Sequence, residues 1–126
     1  MNIHIDNFDV NKLDPSVLNF MDYLHKYLDE GWKIYKKNHS YIVKNKKCKM
    51  SIHDKMVLTH TYNPDDNQSH KYILCFIYNV LNNGWRMKKS NENYIFIKNH
   101  EGKKEIFSNN YINTFIKENF NSYLIK

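Results

Sequence analysis

Glycine and cysteine are scarce in this sequence. Three glycines among 126 residues are too few for a glycine-rich loop that cradles phosphate groups. Cys48 and Cys75 are the only cysteines, and two thiols without a motif spacing favour reduced side chains over a disulfide framework. No nucleophile elbow or paired-carboxylate motif is present either. The sequence therefore offers no constellation typical of an enzyme, and we expect a non-catalytic protein without a cofactor.

Long apolar runs are also lacking. The longest uncharged stretch, 72–85, is shorter than the roughly 20 residues that span a bilayer. Residues 1–10 contain acids but neither a basic region nor an apolar region of a secretory signal. Alanine is absent and Lys, Asn, Ile and Tyr are abundant, which is typical of a very A/T-rich genome such as that of a large DNA virus or an A/T-rich protist or bacterium. Together these features predict a soluble intracellular protein with no membrane partner.

The chain aligns with itself. Gly31 and Trp32 recur as Gly84 and Trp85, and the residues around them match at the same offset. The matched pairs include Phe20 with Ile73, Leu24 with Ile77, Leu28 with Leu81, Ile34 with Met87, Tyr41 with Tyr94 and, after one inserted residue, Ile52 with Ile106. This self-similarity predicts a tandem duplication. Residues 1–63 form the first half, 64–68 a linker and 69–126 the second half.

Each half begins with a helical pattern. Asp14 is a suitable N-cap followed by Pro15, and Ser69 is the candidate cap in the second half. Gly31 and Gly84 stand where a helix ends in a left-handed residue. Alternating patterns then predict strands at 32–37, 41–44 and 49–53, and again near 85–89, 94–98 and 103–107. A last helix is predicted at 109–120, while 55–62 fits either a helix or a strand.

The predicted fold is α+β, with two tandem helix-plus-antiparallel-sheet repeats (α-β-β-β-α-like) related by a pseudo-twofold axis. Trp32 and Trp85 follow the glycine at the same place in both halves. A large ring at that position is expected to fill the space between helix and sheet. Because a unit of about 50 residues buries little surface, the two halves are expected to share a core or to pack tightly together.

The order of elements resembles the double-stranded-RNA-binding-domain fold and the HicA family of toxin ribonucleases that shares it. The run from Lys37 through His39 and Ser40 to Lys44 is similar to the HicA turn and basic strand. That family's catalytic histidine position holds Ser40 here and Asn93 in the second half. Neither residue transfers a proton as imidazole does, so the resemblance implies the fold and argues against the nuclease.

Histidines elsewhere suggest little chemistry. His39 lies one position from the place of the family's catalytic histidine, and we expect it to be a solvated turn residue. Cys48, His53 and His60 form the nearest candidate metal cluster. Their spacing fits no closed zinc site, and the second half lacks all three, so we predict no metal.

Positive charge is concentrated in the first half. No Asp or Glu occurs from Gly31 to His53, and the chain has a formal net charge of +6. Lysines on a small sheet with aromatic rings between them resemble a surface that tracks phosphates. The candidate nucleic-acid-binding residues are Lys33, Tyr35, Lys36, Lys37, His39, Lys44, Lys46, Lys47 and Lys49. A lysine-rich face that is merely solvated is the competing explanation.

Three functions stay open at this point. The leading hypothesis is a non-catalytic nucleic-acid-binding protein, RNA before DNA, acting through the basic sheet and turn surface of the first half. The alternative is a viral or accessory protein that docks on a partner protein through a sheet edge or a tyrosine-rich surface, since ten tyrosines offer contact area. The third is a HicA-like ribonuclease that relocated its histidine to His39.

Overall fold

The computed structural model describes residues 14–53 and 68–119. The segment 55–62, residues 64–67 of the predicted linker, and His60 lie outside the described residues. The described part contains three α-helices and six β-strands, with a short 3-10 turn at Asn99–Glu101. Their bounds are α1 Pro15–Asp29, β1 Lys33–Lys37, β2 Ser40–Lys44, β3 Lys49–His53, α2 Gln68–Asn82, β4 Arg86–Ser90, β5 Asn93–Lys98, β6 Lys103–Ser108 and α3 Asn109–Asn119.

All six strands join in one antiparallel sheet in the order β3-β2-β1-β4-β5-β6. The predicted α+β class is therefore confirmed. At the centre of the sheet Ile34 of β1 pairs with Met87 of β4, the residue that the sequence alignment matches to it. An antiparallel pairing of matched residues is the arrangement that a twofold axis between β1 and β4 would produce.

A single hydrophobic core lies between one face of the sheet and the helices. Alternation along each strand points Ile34, Val43, Met87 and Phe96 to this face, where all four are buried. The helices cross between the halves, because α1 contacts β4 of the second half and α2 contacts β1 of the first. Neither half encloses its own core, so the structure has one core where two separable modules would have two.

The two helix ends are built alike. Gly31 and Gly84 have φ of 88° and 92°, a left-handed backbone that glycine adopts without strain. The amide of each glycine donates to the carbonyl three residues earlier, and the amide of the following tryptophan donates to the carbonyl five residues earlier. These two hydrogen bonds satisfy carbonyls that have no partner within the helix, and together they define a Schellman motif. Each helix therefore stops at the predicted glycine and turns directly into a strand.

The strand positions differ from the sequence alignment at one place. The alignment matched Ile52 with Ile106 after one inserted residue. In the sheet, Ile52 lies opposite Tyr41 and Phe107 lies opposite the matched Tyr94, so Ile52 corresponds to Phe107. The β5–β6 hairpin contains two more residues than β2–β3, which add the pair Lys98 and Lys103 to the ends of its strands. The burial of the strand agrees with this shift, because Ile52 and Phe107 are buried while Ile106 is exposed.

The two tryptophans lie in different surroundings. Trp85 is only 2% exposed and belongs to the core, as expected. Trp32 is half-buried at the margin of the core, with its ring edge-on to Tyr27 at a centroid distance of 5.3 Å. The expectation that both rings fill the space between helix and sheet is therefore confirmed for Trp85, while Trp32 meets it only in part, because it packs against the margin of the core.

Candidate functional site

The face of the sheet that points away from the helices, termed the outer face, carries a line of lysines. Lys44 lies opposite Lys49 of β3 and opposite Lys33 of β1. Because Ile34 pairs with Met87 in antiparallel register, Lys33 in turn lies opposite Lys88 of β4. We term Lys49, Lys44, Lys33 and Lys88 the lysine row. Its members occupy four adjacent strands, so at about 4.8 Å per strand the row is roughly 14 Å long.

Among the described residues, no carboxylate forms an ion pair with the lysine row. Like charges directly opposite each other in a sheet are destabilising. The pKa of Lys33 is lowered from its ordinary value, mainly by burial and further by the neighbouring charges of Lys44 and Lys88. An anion bound along the row would relieve this repulsion.

The row borders an open depression with a volume of about 690 Å³. Its lining includes Lys33, Lys44, Lys88 and the β2–β3 turn residues Lys46 and Lys47. The turn is held by the Asn45 side chain, whose Oδ1 accepts from the amides of Lys47 at 2.9 Å and Cys48 at 2.8 Å. Five lysines are thus held around one concave surface by a sheet and a fixed turn.

The equivalent turn of the second half contains a carboxylate that pairs with its lysines. Glu101 accepts from Lys103 at 2.8 Å and from Lys98 at 3.0 Å. Hydrogen bonds from Lys103 and then Lys98 lower the pKa of Glu101 to about 2. The two turns therefore differ in their charge contacts: the lysines of the second form ion pairs with Glu101, and the first presents its lysines to solvent.

Arg86 adds a directed cation to the outer face. It is the only arginine of the chain and lies opposite Tyr35, with its guanidinium carbon 4.1 Å from the centre of the tyrosine ring. Stacking on a ring orients the planar guanidinium and leaves its edge free to donate hydrogen bonds. Tyr35 was predicted as a binding residue. In the structure its ring orients the guanidinium of Arg86 on the outer face.

The structure does not bring all predicted site residues together. Lys33, Lys44, Lys46, Lys47 and Lys49 lie on the row or around its depression. Lys37 and His39 are exposed at the opposite end of the β1–β2 hairpin, about 13 Å along the strand from Lys33.

Lys36 is on the wrong face for the predicted site. It shares the phase of Ile34 and points to the helices, where its Nζ donates to Asn82 Oδ1 of α2 at 2.5 Å and lies 5.4 Å from the Tyr41 ring. Its counterpart Lys89 binds Asp29 Oδ1 of α1 at 2.8 Å and lies 5.0 Å from the Tyr94 ring. Each lysine thus ties a strand of one half to the helix end of the other, which is a structural role.

A second polar cluster surrounds His25 on the helix side. Its Nδ1 is 3.3 Å from Asp29, its Nε2 is 3.1 Å from the Tyr94 hydroxyl, and its ring lies edge-on to His70 at 5.2 Å. His70 Nε2 is in turn 2.6 Å from Asp22. Burial, more than any neighbouring charge, lowers the pKa of His25. Tyr94 is 3% exposed, so the hydroxyl that His25 could activate does not reach a substrate. The cluster joins α1 to α2 and β5.

Other chemical groups give no further site. Burial raises the pKa of the Cys75 thiol to about 12, so it is protonated and unreactive at neutral pH. Among the residues that the structure describes, no three His, Cys, Asp or Glu side chains are grouped as metal ligands. None of the described helices has the length and apolarity needed to cross a bilayer.

Sequence reasoning missed Arg86 and Lys88, two cations that the second half adds to the outer face beside Lys104 of β6, which lies opposite Ile97. A signal for them was present, because Arg86 matches Lys33 in the self-alignment and Lys88 follows at the strand period of two. Comparison with known proteins adds no further assignment: no family model matches the chain, and no curated protein or solved structure is significantly similar to it.

Proposed function

We propose that this protein binds nucleic acid without catalysing a reaction, and that the lysine row is where the phosphates lie. The supporting observation is four lysines directly opposite one another on adjacent strands, with no carboxylate paired to them in the described parts of the chain. Such a row is costly in the absence of an anion and favourable with a chain of phosphates. Because nucleic acids occur inside cells, we also propose that the protein acts inside cells.

We propose that the protein binds RNA in preference to DNA. The preference rests on the order of elements in each half, which resembles the double-stranded-RNA-binding-domain fold. That family, however, uses its first β-turn for RNA, and the corresponding residues here are Lys36 to His39. Since Lys36 is bonded to Asn82 on the other side of the sheet, the outer face is the better candidate surface in this protein.

The experiment is a fluorescence-anisotropy titration of labelled RNA and DNA oligonucleotides over a range of salt concentrations. Neutralising about four phosphates gives a slope of log affinity against log salt of about −3 for a single strand and about −4 for a duplex. Replacing Lys33 and Lys44 together by Ala is expected to weaken binding on the order of tenfold and to reduce the slope by about 1 to 2.

The matched control replaces Lys26 and Lys71 by Ala. Both lie on helices, on the other side of the molecule, and removing them lowers the net charge equally. This variant should bind like the parent protein. Affinity that is indifferent to salt, or lost equally in both variants, contradicts the proposal.

Docking of a protein partner is the second candidate. It is favoured by Ile106, which is 56% exposed on the outer strand β6. A complex that survives both nuclease treatment and high salt would support it, because apolar contacts are not screened by ions.

A further inference from the structure

The outer face has an apolar side next to its charged side. Ile95 of β5 lies opposite Ile106 of β6, and Ile97 follows two residues along β5 on the same face, where it lies opposite the exposed Lys104 of β6. We term Ile95, Ile97 and Ile106 the isoleucine patch. Ile106 is 56% exposed and the other two are half-buried, although isoleucine is among the residues most often buried.

The register places this patch directly against the cations of β4. Lys88 lies opposite Ile95, and Arg86 lies opposite Ile97. A column of positive charge on β4 and a column of aliphatic side chains on β5 therefore run side by side, about 4.8 Å apart. Across the sheet from β3, the outer face carries Lys49, Lys44 and Lys33 and stays charged as far as β4. It becomes apolar at the border between β4 and β5.

A ligand that matches this face needs a line of negative charge beside a line of flat, weakly polar surface. A duplex presents its phosphates outwards and keeps its bases stacked inside, so it would satisfy the lysines but leave the isoleucines against water or phosphate. An unpaired strand has both parts available, because its bases are free to lie on apolar or aromatic side chains while its phosphates follow the cations.

We propose that the ligand is single-stranded nucleic acid, with its phosphates on the lysine row and Arg86 and its unpaired bases on the isoleucine patch. This inference rests on the proposed function and specifies its ligand. Tyr35 holds the guanidinium of Arg86 at the border of the two columns, where a phosphate and its base would separate. A face with this division discriminates between paired and unpaired strands without reading their sequence.

The test compares three ligands of equal length, about ten nucleotides. They are an unstructured pyrimidine strand, the same strand annealed to its complement, and an abasic strand that keeps the phosphates and lacks the bases. The intact single strand is expected to bind about tenfold more tightly than the abasic strand, and more tightly than the duplex, since base contacts add to the phosphate contacts.

Ile106→Asn tests the isoleucine patch separately from the lysine row. It should lower affinity for the intact strand to the level of the abasic strand and leave affinity for the abasic strand unchanged. Ile106→Leu keeps the apolar surface and should bind like the parent protein. Because Ile106 is exposed, the fold should survive both changes, and Ile95→Thr provides a second variant that keeps the β-branched shape of the side chain.

The outcomes distinguish this inference from the function on which it rests. If the duplex or the abasic strand binds as tightly as the intact strand while the Lys33 and Lys44 variant still loses affinity, the protein binds nucleic acid but the single-strand inference is wrong. If Ile106→Asn leaves every nucleic-acid affinity unchanged, the isoleucine patch does not contact the ligand and the inference is likewise overturned. If none of the three ligands binds, the proposed function itself fails.

Discussion

At the scale of single residues, matched positions in the two halves have diverged in burial. Trp85 is enclosed between β4 and the helices, with the Lys98 ammonium 5.5 Å from its ring. Trp32 instead packs with Tyr27 at the margin of the core, and Tyr27 in turn contacts Tyr23 edge-on at 5.5 Å. The same residue type after the same glycine thus contributes to the core in one half and to a half-exposed aromatic group in the other.

Trp85→Ala should therefore destabilise the protein more than Trp32→Ala. Emptying the buried site costs about 3 to 5 kcal/mol of unfolding free energy, because a cavity remains. The Trp32 change should cost about half as much or less, since part of the ring already contacts water. Urea unfolding measures both values, and equal losses would show that Trp32 is as enclosed as Trp85.

His25 should make stability depend on pH. Burial, opposed by Asp29 and aided by His70 and Lys89, lowers its pKa from the ordinary value of 6.5 in the folded protein. The unfolded chain therefore takes up this proton first as pH falls. The contribution of the neutral ring is fully present above pH 6.5 and is lost as pH falls below that value, towards the lower pKa of the folded state.

The measurement is the difference in unfolding free energy between the parent protein and His25→Gln, taken at several pH values from neutral to moderately acidic. Glutamine does not titrate, so the advantage of the parent over the variant should shrink as the pH falls through the ordinary range of histidine. A difference that stays constant with pH would mean that His25 has the same pKa folded and unfolded.

At the scale of elements, the two β-hairpins depend on one residue each. Asn38 and Asn91 have φ of 58° and 56° and occupy the first position of the two-residue turns in β1–β2 and β4–β5. Asparagine tolerates this left-handed backbone better than other residues with a side chain. The turns fix the register that places Lys33 opposite Lys44.

Asn38→Ala should cost about 1 kcal/mol of unfolding free energy, because a β-carbon without a local hydrogen bond is strained at positive φ. Asn38→Gly removes that strain and should lie within about 0.5 kcal/mol of the parent. Thermal or urea unfolding of the two variants compares them directly. An alanine variant as stable as the glycine variant would contradict the strain argument.

Much of the element order could be predicted because its signals are local. The Asp14 cap is formed by a 2.9 Å bond from the Ser16 amide, and the helices end at Gly31 and Gly84 as expected. Each strand begins and ends within one residue of its predicted position. Gln68, assigned to the linker, is instead the first residue of α2.

The candidate site was predicted less completely, for two physical reasons. Pairing of β1 with β4 joins residues far apart in the chain, and no periodicity encodes it, so Lys88 and Arg86 could not be placed beside Lys33. Lys36 was grouped by charge although its phase matches that of Ile34, and the strand period correctly places it on the helix side.

At the scale of the whole molecule, the halves depend on each other. α1 packs on both β1 and β4, and α2 packs on the same two strands, so each helix covers strands of both halves. The matched contacts of Lys36 with Asn82 and of Lys89 with Asp29 tie the same elements together at the surface. These correspondences are what a duplicated unit would produce, and the duplication stays a prediction.

Separate chains of residues 1–63 and 64–126 should therefore not fold alone. Each would expose the apolar face that the other covers, and about 60 residues bury too little surface to offset the loss. Circular dichroism during urea unfolding should show no cooperative transition for either fragment and a restored transition in an equimolar mixture. A fragment with its own cooperative transition would show that the halves are independent domains.

The central claim is that the outer face of the sheet is the binding surface, and NMR with the ¹⁵N-labelled chain tests it most directly. Single-stranded RNA is added stepwise at low salt, and the amide shifts are followed residue by residue. We predict the largest changes on β1, β2, β4 and β5, at Lys33, Lys44, Lys88 and Ile95, with the solvent side of the three helices unaffected. Changes confined to the helices, with these four amides unmoved, would contradict the claim.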